Sequence, residues 1–153
     1  MLSEADSDLR GWAEPIVADL EPGASVELCA PGSCVSKPSV SLYLLDLESV
    51  APKPDYLVTR VSVRARYLVT SYADSDEAAH RLLGALIVAG VAESRFEVEV
   101  SRLGADTWLA LGVAPRPSFA IRMLCSAELE RIEVPQIESA SVDVAPMHGA
   151  IED

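Results

Sequence analysis

The segment Tyr56–Ser71 constrains the fold most, because its side chains alternate between two chemically different faces over the length of a long strand. The apolar face consists of Val61, Val63, Ala65, Tyr67 and Val69. The other face consists of Arg60, Ser62, Arg64, Arg66, Leu68 and Thr70. The pattern predicts a strand that buries one face in a core and presents the other to solvent or to a partner.

A helix is predicted directly after this strand, over about residues 75–89. Its apolar stripe, at helical spacing, consists of Ala79, Leu82, Leu83 and Leu86. Asp74, with Glu77 three residues later, resembles a capping box, and Gly90 suits the position that follows a helix. Gly84 inside the helix costs roughly 1 kcal/mol relative to alanine. Close packing of the helix on a sheet would explain this glycine.

Shorter patterns predict the remaining elements. The other strands are expected at Ser25–Cys29, Val40–Leu47, Phe96–Ser101 and Ser118–Cys125. The other helices are expected at residues 2–20, ended or kinked by Pro15, and at Gly104–Leu111. Alternation in Phe96–Ser101 directs Phe96, Val98 and Val100 inward. This order predicts an α+β fold: a mostly antiparallel sheet with one long and one or two short helices packed on it, plus an extended C-terminal arm.

The chain divides into a domain and an arm. Its 153 residues are enough for one domain and few for two, and 50% hydrophobic residues argue against global disorder. Residues 1–130 form the predicted α+β domain, and residues 131–153 form an extended acidic C-terminal arm. Strand-like alternation in the arm involves Ile132, Val134, Val142 and Val144. We expect the arm either to add a strand to a sheet edge across an interface or to remain a disordered, solubilising tail.

The charge is concentrated at the two ends of the chain. The net charge is −12, of which residues 1–22 carry −5 and residues 126–153 carry −6. An acidic chain of this kind is a poor partner for nucleic acid and for anionic lipid, so neither is expected to bind. The acidic N-terminus has no apolar run, and no segment approaches the roughly 18 apolar residues of a membrane span. We therefore expect a cytoplasmic protein.

The three cysteines and His80, the one histidine within a predicted element, do not indicate a catalytic or metal site. Cys29, Cys34 and Cys125 are an odd number, and we expect reduced thiols. Four residues separate Cys29 from Cys34 and no second pair exists, so no metal site is predicted. Cys125 continues an apolar strand and is expected to be a buried structural thiol, and His80 is expected at an exposed or rim position of its helix. Phosphate loops, dinucleotide fingerprints and nucleophile elbows are absent from the sequence, so no catalytic residue and no cofactor is predicted.

Arg60, Arg64 and Arg66 lie on one side of the predicted long strand and permit two interpretations. The first is a solvated sheet face on which they pair with Glu97 and Glu99 of another strand. The second is a protein-binding face for acidic surfaces.

Several stretches resemble a known protein family. The first is Tyr67–Asp74 (YLVTSYAD) followed by Glu77–Gly84 (EAAHRLLG), and the second is Trp108–Ala120 (WLALGVAPRPSFA). Upstream, Pro38–Leu44 (PSVSLYL) fits an early strand of the same family. The stretches are similar to the tail-terminator, or cap, proteins of extracellular contractile injection systems, which are phage-tail-like particles of the antifeeding-prophage type. The resemblance covers about residues 9–125, although Ala73 stands where the family often has glycine.

The resemblance implies a structural function and no enzymatic activity. Such proteins form a sixfold ring at the end of the tail distal to the baseplate, where they cap the inner tube, anchor the last sheath layer and fix the particle length. The implied partners are further copies of the chain and the tube and sheath proteins. His80 and Arg81 are positions of the family pattern, suited to helix packing or ring contacts. The alternative is an acidic adaptor or inhibitor that binds a basic protein partner, and an enzyme is the remaining class.

Overall fold

The computed structural model describes residues 1–34, 36–51 and 60–128. Three helices are formed by α1 (Leu2–Leu20), α2 (Asp76–Val91) and α3 (Ala105–Ala110). Five strands are formed by β1 (Ser25–Glu27), β2 (Ser39–Val50), β3 (Arg60–Tyr72), β4 (Glu97–Glu99) and β5 (Ser118–Glu128). The predicted arm, residues 131–153, lies outside the described residues. None of the helices in the described ranges combines the length and the apolar character needed to cross a membrane.

The strands form one sheet in the order β1-β2-β3-β5-β4. β1 runs parallel to β2, and the other neighbouring pairs are antiparallel. This arrangement confirms the predicted α+β class and the mostly antiparallel sheet. β3 is central, with β2 and β5 paired along almost its whole length.

The helices α1 and α2 cover one face of the sheet and enclose the main core. Four of the five β3 residues predicted to face the core do so, Val63, Ala65, Tyr67 and Val69, and β5 adds Phe119, Ile121 and Met123. The fifth, Val61, is 41% exposed because it lies near the start of β3, beyond the main core. Tyr67 at the centre is fully buried, and its hydroxyl donates a hydrogen bond of 2.7 Å to Asp6 Oδ1 of α1. Burial, reinforced by the Asp6 carboxylate, raises the pKa of Tyr67 far above its ordinary value. This bond fixes the first turns of α1 on the middle of the sheet.

Two loops and α3 cover one end of the opposite sheet face. Leu68, Ala120 and Trp108 are buried there, outside the main cluster. Tyr72 joins the two loops: its hydroxyl accepts a hydrogen bond from the Gly32 amide, and the Arg116 guanidinium lies 4.2 Å from its ring centroid. Among the residues that the structure describes, no helix covers the rest of this face, towards the ends of β2 and β5 and the start of β3.

Helix α1 continues through Pro15, so the expected break does not occur. Proline removes the bond to the carbonyl four residues earlier, which here belongs to Gly11. Both residues are exposed, and a Cβ at Gly11 would have nothing within 4 Å. The freed carbonyl therefore points to the solvent side, where water satisfies it and the helix can bend without losing core contacts.

Helix α2 starts and ends differently from the prediction. Ser75 is the N-cap residue, and its hydroxyl accepts a hydrogen bond of 3.2 Å from the Ala78 amide, so the Asp74–Glu77 capping box is wrong. The helix continues through Gly90 to Val91. Burial of Gly90 within the last turn explains why this glycine does not end the helix.

The close packing expected at Gly84 occurs at Gly90 instead. A Cβ on Gly90 would lie 2.6 Å from Val98 Cγ2 and 3.4 Å from Trp12 Cζ2. A Cβ on Gly84 would have nothing within 4 Å, because this residue is on the exposed side of α2. Strand β4 is also shorter than predicted, and Val100, expected to point inward, lies beyond its end with 69% of its surface exposed.

Replacing the two glycines of α2 by alanine is predicted to change stability in opposite directions. Gly84→Ala fills open space and lowers backbone entropy in the unfolded chain, so we expect the free energy of unfolding to rise by about 0.5–1 kcal/mol. Gly90→Ala forces Val98 to move, so we expect a loss of about 1–3 kcal/mol. Urea denaturation of both variants measures the difference. Equal effects of the two substitutions would contradict the packing of α2 described here.

Candidate interaction surface

The uncovered part of the sheet presents a two-dimensional array of charges, which we call the charged sheet face. It comprises Asp46, Glu48, Arg60, Arg64, Arg66, Glu97, Glu99, Arg122 and Glu128. A register shift between Leu44 and Asp46 of β2 creates it. Leu44 lies opposite Tyr67 on the core face, whereas Asp46 lies opposite Arg66 on the other face. Without this bulge the alternation would direct both Asp46 and Glu48 into the core.

Each arginine of the predicted arginine face makes an ion pair within the chain. Arg60 is 3.1 Å from Glu128, and Arg64 is 3.0 Å from Glu48. These two pairs join β3 to its neighbours on either side. The sequence had indicated neither partner, because only the strand order brings them opposite the arginines.

Arg66 and Glu99 form the most enclosed pair of the charged sheet face. The Arg66 guanidinium lies 3.1 Å from Glu99 and 3.5 Å from Asp46, and Arg122 approaches Glu99 to 3.0 Å. The pair with Glu99 is one that the first interpretation expected, whereas none of the three arginines of the arginine face pairs with Glu97. A hydrogen bond from the Ser101 hydroxyl, together with Arg66 and Arg122, holds the pKa of Glu99 below its ordinary value.

The energetic contribution of the outer ion pairs to folding is small. Arg60 and Glu128 are 60% and 66% exposed, and Arg64 and Glu48 are 46% and 66% exposed. Exposed pairs of this kind contribute about 0.2–1 kcal/mol each. Their side chains can therefore exchange partners at little cost, which leaves both interpretations of the arginine face open.

Apolar side chains and open strand edges accompany these charges at the same end of the sheet. Leu124 lies opposite Arg64 and is 61% exposed, and Leu47 and Val61 are 49% and 41% exposed. Within the described part of the chain, β1 pairs only with Ser39–Ser41 of β2, and β4 only with Ala120–Arg122 of β5. Both β2 and β5 thus run on with an open outer edge. We call this region the free end of the sheet.

His80 and Arg81 lie on α2 and do not belong to the charged sheet face. Both are exposed, as expected for His80. Arg81 forms an ion pair of 3.2 Å with Glu21 at the end of α1, which ties the two helices together. His80 lines a groove of about 440 Å³ together with Tyr72 and Arg116. The structure therefore brings the predicted residues to two separate surfaces, and Ile132, Val134, Val142 and Val144 lie outside the described residues.

The structure corrects the expectation of three reduced thiols. Cys29 and Cys34 form a disulfide, with Cα atoms 5.7 Å apart. Gly32 between them has φ of +85°, and this turn brings the two cysteines together. Cys125 is a buried free thiol, as predicted, and burial raises its pKa.

The protein is thus a small two-layer α+β domain. Helices α1 and α2 form one layer, and the five-stranded sheet, with its charged face turned away from them, forms the other. No family model matches the sequence, and no curated protein matches it either. Solved structures, in contrast, share the fold.

Two of these structures are components of contractile injection systems. The cryo-EM structure of the sheath/tube terminator of the extracellular contractile injection system PVC, in its extended state, matches with a TM-score of 0.63 at 16% identity. The match covers 95% of this chain and 64% of that chain. The cap of the anti-feeding prophage, a tube-terminating cap, matches with a TM-score of 0.56 at 18% identity, over 90% of this chain and 61% of that one.

The fold is thus that of the tail-terminator proteins of contractile injection systems, which the sequence resemblance had indicated. The chain spans somewhat less than two thirds of the length of these two structural relatives.

Proposed function

We propose that the chain is a terminator, or cap, subunit of a contractile injection system. Copies of it form a ring, a hexamer as the resemblance implies, which ends the inner tube and anchors the last sheath layer. The observation that supports the proposal most is the shared fold, which extends over 95% of this chain in the match to a sheath/tube terminator. The function is structural, requires no cofactor and includes no catalytic step. Assembly into the tail-like particle takes place in the cytoplasm.

The free end of the sheet has the properties of a ring contact. A ring forms when a heterologous interface closes on itself, so each subunit needs two different surfaces that fit one another. The charged sheet face offers arginines and carboxylates whose intrachain pairs are exposed and weak. Arg60, Arg64 and Arg66 would exchange part of this pairing for acidic groups of a neighbour. His80 and Arg81 on α2 would contribute to contacts on the helical side.

The C-terminal arm is the proposed connection between subunits. Residues 131–153 follow closely on Glu128, which pairs with Arg60 at the free end of the sheet. An extended chain of this length can reach a neighbouring subunit, since each residue spans about 3.3 Å. Ile132 and Val134, or Val142 and Val144, would then lie on one face of a strand added to an open edge of β2 or β5 in the next copy or to an edge of the sheath.

Particle assembly tests the proposal directly. If the chain ends the tube and sheath, particles produced without it will have irregular lengths or unstable sheaths, because nothing stops growth or holds the last layer. Electron microscopy of particles with and without the chain measures both properties, and mass photometry of the purified protein measures ring formation. Uniform and stable particles without the chain would overturn the proposal. A monomeric protein that is absent from particles would instead favour the acidic adaptor.

A charge swap separates the two interpretations of the arginine face. Arg64→Glu places two carboxylates opposite each other and should lower both stability and assembly. Adding Glu48→Arg restores the intrachain pair with its polarity reversed, so we expect stability to return to within about 0.5 kcal/mol of wild type. If Arg64 faces acids of a neighbour, assembly will remain weak, since like charges across an interface cost several kcal/mol. Assembly of the double variant at the wild-type level would assign these residues to a solvated face.

Truncation after Glu130 tests the arm. The described domain keeps its core in this variant, so we expect its free energy of unfolding to stay within about 0.5 kcal/mol of the wild-type value. Ring formation and capping should fall, because the strand that joins neighbouring subunits is missing. A charge-matched control keeps residues 131–153 but replaces Ile132, Val134, Val142 and Val144 by serine. Full assembly by both variants would show that the arm is a solubilising tail.

A further inference from the structure

The loop after β1 brings together three potential metal ligands that are far less obvious in the sequence. One carboxylate oxygen of Glu27 and the sulfur atoms of Cys29 and Cys34 lie within 4.8 Å of one another. All three residues are half-buried: Glu27 ends β1, and Cys29 and Cys34 lie in the loop that follows it. Glu27 was not a candidate at the sequence level, because only its position at the end of β1 directs it towards the two cysteines.

Hydrogen bonds orient the Glu27 carboxylate towards the sulfur atoms. Its Oε1 accepts hydrogen bonds from Ser25 Oγ at 2.8 Å, from the Ser36 amide at 3.3 Å and from the Ser36 hydroxyl. Its Oε2 lies 4.0 Å from Cys29 Sγ. Ligating carboxylates in metal sites are held by such outer hydrogen bonds, which fix the orientation of the metal-facing oxygen.

Reduction would convert the disulfide into soft metal ligands. A dithiol reductant supplies two electrons and two protons to the Cys29–Cys34 bond and is itself oxidised to a disulfide, leaving two thiols. A divalent ion then displaces one proton from each thiol and binds two thiolates. In tetrahedral coordination, with metal–sulfur distances of about 2.3 Å, the sulfur atoms stand about 3.8 Å apart. Side-chain rotation achieves this separation with the Cα atoms at their observed 5.7 Å.

We propose that Cys29, Cys34 and Glu27 form a binding site for one thiophilic divalent ion, with Zn²⁺ as the best fit, when the disulfide is reduced. Two thiolates and a carboxylate are a ligand set that zinc accepts, with water in the fourth position. The loop between Cys29 and Cys34 is closed by the disulfide in the oxidised protein and by the bound ion in the reduced protein. Either one holds the turn at Gly32, whose amide donates to the Tyr72 hydroxyl and whose backbone packs against Val113. The site is independent of the terminator function.

Metal titration of the full chain tests the site. The protein is reduced with a phosphine and titrated with Zn²⁺ in competition with a chromogenic chelator. We expect one ion per chain in the reduced protein and none in the oxidised protein. Co²⁺ serves as a second probe, because thiolate ligation produces an intense charge-transfer absorption whose strength reports the number of sulfur ligands.

Matched variants assign the ligands. Cys29→Ser and Cys34→Ser should each abolish tight binding, whereas Cys125→Ser, which removes the buried free thiol, should leave it unchanged. Glu27→Gln should keep the thiolate absorption with Co²⁺ but weaken Zn²⁺ binding by about tenfold or more. Glu97→Gln, at an exposed glutamate of the opposite edge strand, is its control. Circular dichroism confirms that each variant is folded.

Three results would overturn the proposal. The first is reduced wild-type protein that binds Zn²⁺ no more tightly than the Cys29→Ser variant. The second is a stoichiometry of one ion per two chains, which would indicate that the ion bridges two copies. The third is equal affinity of the Glu27→Gln and Glu97→Gln variants, which would remove Glu27 from the site.

Discussion

The pairing of β3 between β2 and β5 is the constraint on which the rest of the structure depends. Its register assigns every side chain of three long strands to one of two faces. A slip by one residue would move Tyr67 out of the core and Arg66 into it, at the cost of a buried, unpaired charge. The fully buried Tyr67 and its hydrogen bond to Asp6 oppose such a slip, because both need the tyrosine on the helical side. The core and the charged sheet face are therefore products of one register.

The sequence predicts those parts of the fold that depend on periodicity within one element. The alternation of β3 and the apolar stripe of α2 are both present as predicted, since each reflects local geometry and burial. Two of the expectations that failed depend on structure outside the pattern of a single helix or strand. Gly90 packs against Trp12 and Val98, and the Cys29–Cys34 disulfide depends on a tight turn, neither of which a pattern within one element reveals.

For the same reason, the sequence predicts only part of the charged sheet face. Arg60, Arg64 and Arg66 are visible as one face of a strand, but their partners Glu48 and Glu128 are assigned by strand order and by the bulge in β2. A bulge adds one residue without a distinctive sequence signature, yet it reverses the facing of all later residues in the strand. The signal that could have revealed it is the polar pair Asp46 and Glu48, which would otherwise point into the core together with Leu44.

The charges at the free end of the sheet fit the assembly proposed above and also protect the open strand edges of a single chain. Open edges of long strands are sites where chains aggregate, and charged side chains are a common protection against it. Here the protection is nearly neutral overall, because the four arginines and five carboxylates of the charged sheet face almost cancel. Such a surface attracts no highly charged polymer strongly, but it can bind a surface with a complementary pattern. Leu124 lies exposed among these charges in the described part of the chain, so a partner that covered it would gain the free energy of burying it. This end of the sheet thus opposes nonspecific association and fits a partner whose charges are complementary to its own.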